Sequence, residues 1–365
     1  MDGKMTIEPI ETKAAWKGPE IDWRKEGLHV LSASELREIE SGLAHLKSLG
    51  ELDFSEIRQE HFPLDAFGKY LRTLPHELRF GRGFLMLRGL PRERLSTDDM
   101  ARIYFGIGAY VGLPIEQSWQ GELLGHVIDV SDLEDRPRAY HKGGAIAMHT
   151  DSGDVIGLMC LRTARSGGAS RIASTVALHN ALAERRPDLA AAHYAGFHYR
   201  RNEPDAEYGN GVLVSPHRIA SFSQETGEFS SYFLGGYARS AVRAGAATLT
   251  PLEEEAIREL EKLAASPEFY LDMDFTDGDI QFINNRTILH GRTDYDEDRD
   301  VNHRRHLLRL WLKVPEWPVL PSAQVFHTAE DRRLWARQRK RLGELPSRYV
   351  TSLAEQIAER AKAPA

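Results

Sequence analysis

A series of short apolar runs is the feature that most constrains what this sequence can fold into. The runs lie at 84–87, 155–161, 171–174, 211–214, 280–290 and 306–314. Turn signals that contain glycine separate many of them, at 166–168, 209–211 and 277–278. Short runs at this spacing are typical of antiparallel strands, so they predict an antiparallel β-core.

Polar residues between these runs predict helix starts. Ser32, with Glu35 three residues later, forms a capping box ahead of apolar positions at helical spacing. Ser96 predicts a second helix, and Thr250 followed by Pro251 predicts a third. Helices beside many short strands favour an α+β fold over a doubly wound parallel sheet.

Charge and cysteine content narrow the class of protein. The 47 Lys and Arg against 54 Asp and Glu give a net charge of −7, so we expect no nucleic-acid or membrane partner, because both require positive charge on the protein. The single cysteine, Cys160, excludes an internal disulfide and fits a reducing compartment. The N-terminus has no apolar core typical of a signal peptide. We therefore expect a cytoplasmic enzyme.

The chain is predicted to form one main domain with a short segment at each end. Residues 1–28 are expected to be an irregular arm, residues 29–325 a single domain, and residues 326–365 a helical tail. The tail is basic, which is typical of a solvated helix face or of a contact between subunits of a homo-oligomer.

A His-x-Asp motif is the most informative chemical signal. On an extended strand His149 and Asp151 point to the same face, so an imidazole and a carboxylate can bind one ion. His290, at the end of a long predicted strand, is the candidate third ligand. Two histidines and one carboxylate leave three positions open on an octahedral ion, as in non-haem Fe(II) enzymes. A strand histidine that is paired with a neighbouring carboxylate is the alternative.

The run 304–313 places arginines among apolar residues. A period of two puts Arg305, Arg309 and Trp311 on one face. A guanidinium in a partly buried pocket requires an anion, and its fork matches a carboxylate. A dicarboxylate held between the metal and an arginine would satisfy this pattern, and an internal ion pair with Asp or Glu is the alternative.

In combination, these motifs resemble the taurine-dioxygenase-like (TauD/TfdA) family of Fe(II)/2-oxoglutarate-dependent oxygenases. The residues that carry the resemblance are His149, Asp151, His290, Arg305 and Arg309. It covers about residues 80–315, with 83–90 similar to the first core strand of the family and 167–170 similar to the turn after the first metal strand. The resemblance implies a double-stranded β-helix (jelly-roll) core with flanking helices, and the use of Fe(II), 2-oxoglutarate and O₂.

The resemblance also implies roles for individual residues. The implied metal ligands and catalytic centre are His149, Asp151 and His290. Arg309 would hold the distal carboxylate of 2-oxoglutarate, helped by the hydroxyl of Ser170, which stands where threonine is common in the family. Arg305 would lie near the metal-bound end. The presence of Asp151 favours hydroxylation or desaturation over halogenation, because the halogenating relatives lack this carboxylate.

We therefore predict a dioxygenase that hydroxylates or desaturates a small polar or anionic metabolite and releases succinate and CO₂. A non-catalytic, cupin-like metal-binding barrel and a metal-dependent hydrolase with the same three ligands are the alternatives, although a hydrolase leaves the arginine face unexplained. Substrate contacts are expected from the segments 114–141 and 199–202. The candidates are Trp119, Gln120, Tyr140, His141 and Arg200.

Overall fold

The computed structural model describes residues 7–132, 139–201 and 212–342. Its α-helices are α1 (Trp23–Glu26), α2 (Ala33–Ser48), α3 (Ala66–Leu71), α4 (Leu74–Phe80), α5 (Thr97–Val111), α6 (Thr175–Arg185), α7 (Pro187–Ala195), α8 (Gly235–Arg243), α9 (Pro251–Ala264) and α10 (Ala329–Leu342). Within the part of the chain described, no helix is both long and apolar enough to cross a membrane.

The predicted helix caps are confirmed. Ser32, Ser96 and Thr250 precede α2, α5 and α9, and each side chain accepts a hydrogen bond from the backbone N–H three residues later. The Ser32 and Thr250 caps are complete capping boxes. Each cap satisfies a backbone donor that the first helical turn would otherwise leave without a partner.

Most of the strands form two main sheets, and the others form two-stranded pairs. The strands are β1 (Leu28–Val30), β2 (Phe84–Arg88), β3 (Leu113–Pro114), β4 (Leu124–Ile128), β5 (Ile146–His149), β6 (Val155–Arg162), β7 (Ser166–Gly167), β8 (Ser170–Ser174), β9 (Phe222–Ser223), β10 (Ser230–Ser231), β11 (Tyr270–Met273), β12 (Ile280–Asn284), β13 (Ile288–Arg292), β14 (Tyr295–Asp296) and β15 (His306–Lys313). The larger sheet has the order β1-β2-β12-β6-β15-β3, with β4 also paired to β15, and the smaller sheet has the order β11-β8-β13-β5. The β1–β2 pair is parallel and the other pairs of these two sheets are antiparallel.

The two sheets pack face to face. Ile156 and Ile283 of the larger sheet belong to the same buried cluster as Ile172, Met273 and Ile288 of the smaller sheet. Because these side chains come from both sheets, the cluster defines an inner layer between them. The predicted α+β class with an antiparallel core is confirmed.

Helices cover the outer face of each sheet. On the larger sheet, Leu308 and Leu310 of β15 share a buried cluster with Phe105 of α5. On the smaller sheet, Leu289 of β13 shares a buried cluster with Leu260 of α9. The alternation of inward and outward side chains along β13 and β15 therefore lets each strand contribute to an inner and an outer layer.

The prediction of one long strand over 280–290 is wrong. The chain forms β12 and β13, separated by a turn at 285–287. β12 joins the larger sheet and β13 joins the smaller sheet. The turn therefore carries the chain from one sheet to the other.

The structure also differs from the expectations for the run 211–214 and for the N-terminal arm. Gly211 of the run 211–214 lies outside the described residues, and Val214 forms an isolated bridge with Arg200 instead of a strand. The predicted arm carries a 3-10 turn and α1, and its Trp16 and Trp23 are buried in the inner layer. From residue 7 onward the arm is therefore part of the packed structure and not irregular.

We predict that Asp154→Ala lowers the free energy of unfolding by about 3–5 kcal/mol, because it leaves buried Arg286 without its partner. Asp154 is buried and accepts from the Arg286 Nε and Nη2 at 3.0 and 2.6 Å. It also accepts from the Val314 N–H at 2.9 Å. Urea unfolding measures the change. The exposed Asp98, paired with Arg102 on α5, is the control, and its replacement by Ala should cost less than about 1 kcal/mol. Equal effects of the two substitutions would contradict the prediction.

Candidate active site

His149 and His290 lie side by side on neighbouring strands. His149 ends β5, His290 lies in β13, and the two residues are paired in register. Their ring centroids are 4.4 Å apart. Residues directly opposite each other on antiparallel strands point to the same face, so both imidazoles project from one face of the smaller sheet.

Asp151 follows β5 by two residues, and the side chain of Asn285 fixes its backbone. The Asn285 Oδ1 accepts a hydrogen bond from the Asp151 N–H at 2.9 Å. The Asn285 amide donates to the carbonyl oxygens of Asp151 and Gly153, both at 2.7 Å. The turn between β12 and β13 therefore positions the carboxylate as well as connecting the sheets.

The three side chains fit a divalent metal ion. One ligand atom from each of His149, Asp151 and His290 lies within 4.8 Å of the others. The Asp151 Oδ1 is 3.8 Å from the His149 Nε2, and the Asp151 Oδ2 is 3.6 Å from the His290 Nε2. The His149 Nδ1 donates to the Ala147 carbonyl oxygen at 2.8 Å, an arrangement that leaves its Nε2 lone pair for a metal.

Electrostatics keep His149 and Asp151 in the protonation states that a metal requires. Burial, reinforced by the neighbouring His290, lowers the pKa of His149 to about 4, so its imidazole is neutral at pH 7. Burial alone would raise the pKa of Asp151, but Arg309 and the two histidines outweigh it and hold that pKa well below its usual range. An ionised Asp151 beside a neutral His149 imidazole is the protonation state that metal binding needs.

Arg309 and Trp311 of β15 reach Asp151 from the larger sheet. The Arg309 Nη1 is 3.2 Å from the Asp151 Oδ2, and the Trp311 Nε1 donates to the same oxygen at 2.8 Å. Arg309 therefore takes part in the internal ion pair that was one of the two sequence interpretations. Within the described residues the Asp151 Oδ1 accepts no hydrogen bond, which leaves that oxygen available for a metal.

Arg305 lies on the same strand and has a different environment. It is buried, its Nη2 donates to the Gly168 carbonyl oxygen at 2.9 Å, and its Nη1 has no hydrogen-bond partner among the described residues. Burial and the nearby Arg292 lower the pKa of Arg305 to about 10. Arg305 lines a cavity of about 230 Å³ together with Cys160. Of the two arginines, Arg309 contacts Asp151 and Arg305 does not.

Ser170 begins β8 and is buried between the sheets. Its hydroxyl donates to the Gln281 Oε1 of β12 at 2.8 Å. It is paired in register with Arg292, two residues beyond His290. Ser170 therefore shares the sheet face that carries the two histidines.

The predicted substrate residues have different environments. The Tyr140 ring lies 4.4 Å from the Arg309 guanidinium and is close to the site. The His141 Nε2 is hydrogen-bonded to the His126 carbonyl oxygen, which indicates a structural contact. Trp119 and Gln120 lie in a turn, and the Trp119 carbonyl oxygen accepts from Arg339 of α10. The Arg200 backbone N–H donates to the Tyr237 carbonyl oxygen.

Sequence reasoning did not identify several residues that organise the site. Gln117 accepts from the Arg309 Nε and donates to the Arg309 carbonyl oxygen, each at 2.8 Å. The Ser152 hydroxyl, next to Asp151, is 2.9 Å from the Tyr232 hydroxyl. Both contacts join segments far apart in the sequence, so no local pattern identifies them.

Comparison with known sequences identifies the family. Residues 46–311 match the family described as "Taurine catabolism dioxygenase TauD, TfdA family". This span is most of the 365-residue chain, so the chain belongs to that family. The predicted family resemblance is therefore confirmed.

Two curated relatives and two solved structures are similar to this chain. FR-33289 synthase of Streptomyces rubellomurinus is 27% identical over 328 residues, with 88% of this chain and 95% of the synthase covered. Taurine hydroxylase-like protein SAT17 of Stachybotrys chartarum is 28% identical over 323 residues, with coverages of 82% and 79%. Asparagine oxygenase in complex with Fe(II), 2S,3S-3-hydroxyasparagine and succinate has a TM-score of 0.62 at 16% identity, with coverages of 78% and 93%. Non-heme iron oxygenase OrfP in complex with Fe and alpha-ketoglutaric acid has a TM-score of 0.58 at 13% identity, with coverages of 78% and 94%.

Family membership establishes the class of enzyme. The chain is an Fe(II)/2-oxoglutarate-dependent dioxygenase that uses O₂. The similarity to the solved oxygenases shows a shared fold. Neither the cupin-like barrel nor the metal-dependent hydrolase is supported by these comparisons.

We predict that Asn285→Ala weakens both the fold and metal binding, because three buried backbone groups around Asp151 lose their partner. Each unsatisfied group costs about 1–3 kcal/mol. Urea unfolding and anaerobic titration with Co(II) measure the two effects. Asn302→Ala, at an exposed position, is the control. Unchanged Co(II) affinity in the Asn285 variant would show that this side chain does not position the carboxylate.

Proposed function

We propose that His149, Asp151 and His290 bind Fe(II) and that the enzyme hydroxylates a small polar or anionic metabolite. The convergence of the three ligand atoms between the sheets is the observation that carries this proposal. Bound Fe(II) and 2-oxoglutarate together supply the activation of O₂, with release of succinate and CO₂. The chain itself holds the ligands, binds the two organic molecules and limits access of water.

Asp151 has the central orienting role in this proposal. Arg309 and Trp311 both bind its Oδ2, so the carboxylate cannot rotate without breaking two hydrogen bonds. The Oδ1 then faces His149, whose Nε2 is 3.8 Å away. Because the ligand directions are fixed before the metal binds, little reorganisation is required on binding.

We propose Arg305, not Arg309, as the residue that binds the distal carboxylate of 2-oxoglutarate. The Nη1 of Arg305, which has no hydrogen-bond partner among the described residues, supports this assignment. Arg309 has its charge matched by Asp151. Ser170 lies two residues after Gly168, whose carbonyl oxygen accepts from Arg305, so its hydroxyl is placed to assist. Co-substrate would then extend from the metal toward Arg305.

Several finer assignments belong to the same proposal. The two facing sheets are proposed to form a double-stranded β-helix within a single catalytic domain, residues 29–325. A cytoplasmic location is supported by the buried free thiol of Cys160. The exposed residues Arg333 and Arg337 of α10 support a subunit contact through the tail. Trp119, Gln120, Tyr140, His141 and Arg200 stay as predicted substrate contacts.

We predict that His149→Ala abolishes metal binding and succinate formation while the fold is retained, because this side chain is about 22% exposed. Co(II) titration, succinate release from 2-oxoglutarate with Fe(II), and circular dichroism measure these properties. His76→Ala, on the exposed surface of α4, should behave like wild type. Normal metal affinity in the His149 variant would contradict the triad.

Replacement of Arg305 and replacement of Arg309 are predicted to have different effects on the enzyme. Arg305→Ala should raise the KM for 2-oxoglutarate roughly ten- to a hundredfold with a smaller effect on kcat, since hydrogen bonds to a charged group are worth about 1.5–3 kcal/mol. Arg309→Ala should instead weaken metal binding, because Asp151 loses its cationic partner. Arg94→Ala, whose side chain is about 80% exposed beside Glu93, is the control. A rise in KM for 2-oxoglutarate in the Arg309 variant alone would restore the order expected from the sequence.

A further inference from the structure

Helix α10 packs against both segments that were expected to line the substrate entrance. Its Arg339 binds the Glu116 carboxylate and donates to the Trp119 carbonyl oxygen. Its Asp331 forms an ion pair with Arg201 at 2.9 Å, with both side chains buried. The helix therefore joins the segment around 116–119 to the segment around 200–201.

Arg332 is a third arginine beside the two ion pairs that α10 forms, and it contacts the backbone of Glu116. The two neighbouring carboxylates, Glu116 and Asp331, are paired with Arg339 and Arg201. Arg332 donates from Nη1 to the Glu116 carbonyl oxygen at 3.2 Å, and it forms no ion pair among the described residues. Among the described residues, three guanidinium groups thus face two carboxylates. A partly buried guanidinium that lacks a carboxylate can still accept an anionic ligand.

The surroundings of Arg332 are connected to the metal site on two sides. On one side, Glu116 is followed by Gln117, which binds Arg309. On the other side, the Tyr232 hydroxyl bonds Ser152, the residue after Asp151. Burial lowers the pKa of Arg332, while Glu116 and the Tyr232 hydroxyl oppose that shift as nearby groups. The guanidinium therefore lies between two segments that contact the Asp151 region.

We propose that Arg332 binds an anionic group of the substrate, a carboxylate, sulfonate or phosphonate. This inference rests on the proposed function and adds a substrate-binding residue to it. Arg305 would bind 2-oxoglutarate, whereas Arg332 would select a second, anionic small molecule from the side of α10. A neutral analogue would leave the guanidinium desolvated and unpaired, so binding would discriminate against it.

The test uses four compounds that share an aminoethyl group and differ in the terminal group. They are taurine, 2-aminoethylphosphonate and β-alanine, whose terminal groups are anionic, and ethanolamine, whose terminal hydroxyl is uncharged. Their binding to the full-length enzyme with Fe(II) and 2-oxoglutarate is measured by anaerobic calorimetry. We expect at least one acid to bind more tightly than ethanolamine, and Arg332→Gln to weaken its binding at least tenfold. Affinity for 2-oxoglutarate should be unchanged in this variant.

Matched variants separate the role of the charge from that of the helix. Arg332→Lys should recover part of the acid binding, and Arg333→Gln, at the exposed neighbouring position, should bind like wild type. Thermal unfolding reports whether α10 stays docked. The proposal is overturned if no acid binds wild type better than ethanolamine, if Arg332→Gln binds acids as wild type does, or if it loses 2-oxoglutarate affinity instead. Succinate formation by the wild type without substrate tests the proposed function separately.

Discussion

The buried carboxylate of Asp151 is the constraint on which the rest of the site depends. A carboxylate removed from water tends to become protonated, and a protonated acid is a poor metal ligand. Arg309 supplies the opposite charge, and Trp311 donates a second hydrogen bond to the same oxygen. The carboxylate therefore stays ionised and keeps its Oδ1 directed toward His149. Asn285 holds its backbone in the matching position.

This arrangement requires both sheets at once. The histidines come from the smaller sheet, Arg309 and Trp311 come from the larger sheet, and Asn285 lies in the turn that connects them. A displacement of one sheet relative to the other would separate Asp151 from its partners. The apolar inner layer that packs the sheets together is thus also what sets the distances in the site. Fold stability and metal geometry are linked through the same contacts.

Local features were predictable from the sequence because they depend on neighbouring residues. The caps at Ser32, Ser96 and Thr250 are set within one helical turn. The separation of 280–290 into two strands was not predictable, because the turn at Asn285 contains no glycine or proline and is stabilised by contacts with residues 151–153. Periodicity placed the two arginines on one face. It gave no information on which end of that face approaches the metal, since this depends on the pairing between distant strands.

The distribution of charge explains how an acidic protein can bind anionic molecules. The whole chain carries a net charge of −7, yet Arg305 and Arg332 in and around the site form no ion pair among the described residues. Arg292 is also buried, its Nε and Nη2 donate to backbone carbonyl oxygens, and its Nη1 has no partner among the described residues. Burying an unpaired cation costs free energy that an arriving anion recovers. In the proposed function, Arg305 and Arg332 therefore supply part of the binding energy for their anionic ligands at the expense of the stability of the empty fold. Selectivity for small anions then follows from where the positive charges are buried and not from their number.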